Sequence, residues 1–122
     1  WNALLQTGID ILSIDAQLSL DKLLDEKHAL ETFIKRGGRL SLGAVPTAGR
    51  EEKLPTANEL HSKFISKLKT AVGSNPDLNR HLISQLLLTP ACGLALHSIA
   101  EADKIQSCLL ELAEKTRLGL AS

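Results

Sequence analysis

Methionine is absent from this chain, tryptophan occurs once, and phenylalanine and cysteine occur twice each. Neither charge sign is in excess, because fourteen Lys and Arg balance fourteen Asp and Glu. Each scarcity excludes something. With no basic surplus to meet phosphates and so few rings to stack on bases, nothing favours a nucleic-acid partner. The longest apolar runs fall far short of the roughly 20 residues that span a bilayer. The first residues are not a basic segment followed by an apolar one, so no membrane contact or secretory leader is expected and the chain reads as cytoplasmic. Two cysteines in such a chain, Cys92 and Cys108, point to reduced thiols rather than a disulfide framework. Lacking methionine and opening at Trp1, the sequence is expected to be cut from something longer.

What is present is ordinary: 122 residues, 43 % apolar and 23 % charged, enough for one globular domain spanning residues 1–122. Periodicity gives alternating strands and helices. Trp1 to Thr7 with Gly8 reads as the last turn of a helix and its glycine stop. The β-branched run at residues 9–14 reads as a strand with Asp15 at its tip. From Ser19 to Arg36 apolar residues recur at helical spacing, with a break near Asp25, until Gly37 and Gly38 end the pattern. Residues 39–45 alternate and stop at Pro46, giving a second strand. Pro46 to Pro55 lacks periodicity and reads as an exposed loop. Thr56 and Glu59 form a capping box ahead of a helix that runs to Gly73. Asn75, Pro76 and Asp77 mark a turn followed by a short helical turn. A third strand at residues 85–89 is apolar on both faces, as a parallel strand covered on both sides would be. Ser98 and Glu101 form a second capping box and open the final helix.

Strands separated by whole helices cannot be joined by hairpins, so they should be parallel with right-handed crossovers. All three loops that follow the strands then lie on one edge of the sheet. Asp15, the Pro46 loop and Cys92 converge there although they are far apart in sequence. That edge is the candidate site.

At this point the residues carry a family likeness. The run Gly37 to Thr47 (GGRLSLGAVPT), followed by Leu88 to Leu94 (LTPACGL), resembles the C-terminal end of the cobalamin-independent methionine synthase catalytic domain and its uroporphyrinogen-decarboxylase-like relatives. The Cys-Gly-Leu segment is its most specific part. The resemblance implies an α/β chain of three parallel βα units that form the C-terminal portion of a TIM barrel, a fold that needs roughly 250 residues when complete. It also implies a catalytic zinc at the barrel mouth, held by a His-x-Cys pair, a Glu at the next strand tip and the cysteine of the Cys-Gly-Leu segment. That cysteine maps onto Cys92, and Asp15 stands where methionine synthases carry the Glu. No His-x-Cys occurs in this chain, so two of the implied ligands lie elsewhere. In such a site a zinc-bound thiol is deprotonated at neutral pH and attacks an electrophilic methyl group. A small-molecule thiol and a methyl donor are the implied reactants.

Simpler readings stand beside these. A cysteine at the end of a buried strand is commonly a small core residue, and Asp15 can equally accept backbone N–H bonds from the loop after its strand. Cys108 reads as helix core. His28 and His61 fall on helices, at solvent or rim positions, while His81 precedes the third strand at the opposite edge. His97 follows Cys92 in the same loop and is a substitute ligand or substrate contact unless the helix cap at Ser98 turns it outward. Arg50 could meet an anionic substrate group, with a solvated loop charge as the default. Gly43 within a strand marks a close approach, and Gly93 supplies an unusual backbone angle. The alternative to a methyltransferase fragment is a non-catalytic α/β module. In either case an open sheet edge should recruit a second copy or a partner chain.

Overall fold

Three short segments form the strands β1 (Ile11–Asp15), β2 (Arg39–Val45) and β3 (Leu87–Pro90). The computed structural model describes residues 2–47, 54–72, 75–91 and 98–118. Both strand pairs are parallel and the order is β1-β2-β3, so the chain is α/β with a three-stranded parallel sheet. The expected strand at 39–45 coincides with β2. The outer two are displaced: β1 runs to Asp15 and begins two residues later than residue 9, and β3 starts at Leu87 because Gln85 still caps the preceding helix.

Eight helical segments complete the described chain. They are α1 (Asn2–Leu5), α2 (Ala16–Leu24), α3 (Lys27–Lys35), α4 (Ala57–Leu60), a π-helical segment (His61–Ile65), α5 (Ser66–Ala71), α6 (Pro76–Ser84) and α7 (Ile99–Leu118). The expected break near Asp25 separates α2 from α3. Gly8 and Gly37 end α1 and α3 with φ of +84° and +95°, angles that side chains other than glycine's resist. Both expected capping boxes form: Thr56 accepts from the Glu59 backbone at 3.2 Å and Ser98 from the Glu101 backbone at 3.1 Å. Asn75 caps α6 through its side chain with Pro76 at the first helical position, so the expected short turn is a full nine-residue helix.

Sequential strand order decides where the helices go. Right-handed crossovers carry both connections over the same face, and α7 packs beside α4 and α6 on that side. The helix-covered face of the sheet presents Leu12, Ile14, Leu40 and Leu42, each at most 5 % exposed. These join Leu23, Phe33 and Ile34 from the first crossover and Leu60, Ile65 and Leu68 from the second in one buried cluster. Each such side chain contributes about 1.5–3 kcal/mol on leaving water. The other face, here called the open face, carries Ile11, Ser13 and Asp15 on β1, and along β1 burial alternates accordingly. Residues of β3 are half-buried throughout rather than enclosed on both sides, because β3 is an outer strand among the described residues.

Candidate functional site

Asp15 occupies the last position of β1 and is at the same time the N-cap of α2. Its extended backbone (φ −78°, ψ 120°) turns the carboxylate back, and Oδ1 accepts the Leu18 N–H at 3.1 Å. This satisfies one of the backbone donors that every helix start leaves unpaired. The simpler of the two sequence readings therefore describes one oxygen of Asp15.

A pocket of about 360 Å³ opens beside it at the C-terminal edge of the sheet. Asp15, Gln17 and Leu18 line it from the end of β1 and the start of α2, Gly43, Ala44, Pro46 and Thr47 from the end of β2, and Ala91 from the end of β3. The three strand ends thus meet at one place, as the parallel crossovers require. Two features draw the third strand in. The Ala91 N–H donates to the Val45 carbonyl at 2.9 Å across an irregular register between Gly43 and Val45. At Gly43, a Cβ would stand 3.0 Å from the Ala91 Cα and 3.2 Å from the Ile14 carbonyl oxygen, so only glycine permits this spacing. Cys92 follows Ala91 directly, but Cys92, Arg50 and His97 lie outside the described residues, as does Gly93.

Among the described residues no group of three or more His, Cys, Asp or Glu side chains is placed to hold a metal ion. Asp15 is the one zinc-type donor that the described lining supplies. Catalytic zinc generally takes three protein ligands, so the described donor set does not fit zinc by itself.

The remaining histidines and the second cysteine sit away from this edge. His28 lines a separate pocket of about 540 Å³ with Asp25, Glu26 and Arg36, whose guanidinium donates to the Leu5 and Ile9 carbonyls. His81 lies in the last turn of α6. His61 begins the π-helical segment, and its Nε2 is buried without a hydrogen-bond partner among the described residues. Burial first, then the charges of Lys69 and Lys115, hold its imidazole below the ordinary value of 6.5. His61 is thus half-buried, at the rim of its helix as expected, with its Nε2 turned inward. Cys108 is 8 % exposed, and its thiol donates to the Pro55 carbonyl at 3.5 Å. Burial and then Glu111 push that thiol above 9.0, which makes it inert core filling, as its helical setting suggests.

Sequence reasoning did not single out Gln17, Leu18, Thr47 or Ala91 as pocket residues. Their shared signal is position, each lying within a few residues of a strand end. Gln17 is further fixed by Lys63 of the π-helical segment, whose ammonium donates to its Oε1. No family model matches this chain, and no curated protein or solved structure matches it either.

Proposed function

We propose that this chain is the C-terminal portion of a (β/α)₈ barrel of the cobalamin-independent methionine synthase-like class, contributing part of a zinc-dependent methyl-transfer site. The supporting observation is the meeting of the three parallel strand ends at one pocket, opposite a face that carries all the helices. A barrel cut after a few βα units has that one-sided layout, because the barrel interior is covered only when the remaining strands close it. In this reading Cys92 is a zinc ligand, Asp15 lies at or next to the metal, and Arg50 and His97 are substrate contacts. The thiol acceptor and methyl donor bind in the parent protein, which is cytoplasmic, and these residues alone are inactive.

Metal analysis of the protein that carries this chain tests the proposal. About one zinc per chain, lost on Cys92→Ser, is the expected outcome; a metal-free protein would sink it.

A second reading is favoured by one observation, the exposure of Ile11 at 50 % on β1, an outer strand among the described residues. In it the chain is a non-catalytic α/β module whose open face and strand edges are covered by a second copy or a partner chain. A monomer at every concentration in sedimentation counts against that reading.

A further inference from the structure

The final helix has a second face that the fold does not use. α7 buries Ile105, Cys108, Leu112 and Thr116 against the rest of the chain. Asp103, Gln106, Leu110, Glu114 and Arg117 are all exposed on its other side. With 3.6 residues per turn, these five fall within a sector of about 80°. Leu110, at the centre of the stripe, is a large apolar side chain left 70 % exposed. Among the described residues neither Asp103 nor Arg117 has an ion-pair partner. The stripe is ordered about its centre: Asp103 lies seven residues before Leu110 and Arg117 seven after, while Gln106 lies four before and Glu114 four after. Two heptads drift by only about 40° around a straight helix, so both charged ends stay on the side of Leu110.

We propose that this face of α7 is a docking surface for the same helix of a second copy, laid antiparallel about a twofold axis at Leu110. A twofold contact pairs residues that stand equally far from the axis on opposite sides. Leu110 then meets its own counterpart, and each Asp103 meets Arg117 of the partner subunit. Each Gln106 amide donates to Glu114 of the partner subunit. The parallel arrangement would set Asp103, Glu114 and Arg117 each against its own like charge, so the charge order selects the antiparallel one. The charged ends of the stripe are about 21 Å apart and both lie within α7. One helix face is a small interface, so the dimer is weak, with a dissociation constant on the order of 0.1 mM. The contact uses neither the strand-end pocket nor the open face, and it stands independently of both readings above.

The test is sedimentation equilibrium of the chain at low salt, over a concentration range reaching about 1 mM. A reversible dimer is expected. Leu110→Glu places two carboxylates at the axis and should raise the dissociation constant at least about tenfold. Asp103→Lys alone and Arg117→Glu alone should each weaken the dimer by a similar factor, since each sets like charges together twice. An equimolar mixture of these two variants should dimerise about as well as the unaltered chain, because the mixed pair restores opposite charges at both ends. All three sites are exposed, so thermal midpoints should stay where they are. A monomer at every concentration, a dimer indifferent to Leu110→Glu, or a mixture no tighter than its components overturns the inference. A dimer weakened by Ile11→Ala and not by Leu110→Glu would instead support the covered open face.

Discussion

Ile11 and Leu12 are neighbours on β1, similar in volume and chemistry, yet Ile11 is 50 % exposed and Leu12 only 4 %. The difference belongs to the two faces of the sheet and not to the residues. Leu12 points at helices whose own apolar stripes were laid against it by crossovers of one hand. Ile11 points away from them, into the face shared with Ser13, Ser41 and Asp15. Apolar residues and burial coincide on the first face. On the second, Ser41 is buried, Asp15 is half-buried, and Ser13 and the apolar Ile11 are exposed.

The sharpest way to break this contrast is the pair Leu12→Ala and Ile11→Ala. The first should cost about 2–5 kcal/mol and the second about 0.5 kcal/mol, read from urea unfolding midpoints at constant slope. Equal costs would mean that the open face is packed as tightly as the other. Should the chain self-associate through its open face, Ile11→Ala should also raise its dissociation constant, while Leu12→Ala should act only through folding.

Gly43→Ala is expected to cost about 1–3 kcal/mol, because the new methyl meets main-chain atoms of Ala91 at 3.0 Å and of Ile14 at 3.2 Å that cannot rotate aside. It should also shift the amide resonances of Ala44, Thr47 and Ala91 in the pocket while leaving those of α3 unchanged. An unaltered pocket would show that the third strand end is not held by this approach.

The smallest effect concerns pH and falls on the helix-covered side. His61 has its proton affinity lowered by folding, so the unfolded chain takes up the proton first as pH drops through 6.5. Stability should therefore fall with acidification in that range and level off below the folded value. Cys108 is raised above 9.0, so the folded chain holds its proton longer and stability should decline as pH rises past 9.0. His61→Gln should flatten the acid limb and Cys108→Ala the alkaline limb, leaving a broad plateau between them. If either limb persists in its variant, another group is responsible.

Much of the layout was legible in the sequence because its signals are local. β2 ends where Pro46 follows, α3 ends where glycine permits a positive φ, and both capping boxes are written in four residues each. The start of α2 was harder. Asp15 is both the last strand residue and the first helix cap, and a residue with two roles gives no gap from which to read a boundary. The helix therefore begins at Ala16, three residues before the apolar repeat becomes visible at Ser19. At the site, topology brought Asp15, the Pro46 end and Ala91 together as the crossover rule requires. Gln17 and Thr47 escaped notice because a pocket is made by tertiary approach, for which neither residue carries a pattern. Ser41 was hidden for another reason: alternation assigns it a face, but only the hand of the crossovers says which face the helices occupy.

The second crossover is sensitive to insertion and deletion at its π-helical segment. Between α4 and α5 the backbone widens for one turn, and Ser66 donates to the carbonyl of His61, five residues back. Such a turn holds one residue more than an α-helix would. Removing that residue would rotate everything after it by about 100° relative to everything before it. Ahead of the turn, Ala57 and Leu60 face the core. Beyond it, Leu68 is buried while Lys67 reaches Asp21 on α2 at 2.9 Å. No uniform α-helix could satisfy both halves at once. The extra residue works as a phase adjuster, joining two helical surfaces cut to different partners, and a one-residue deletion anywhere from 61 to 65 would force a choice between them.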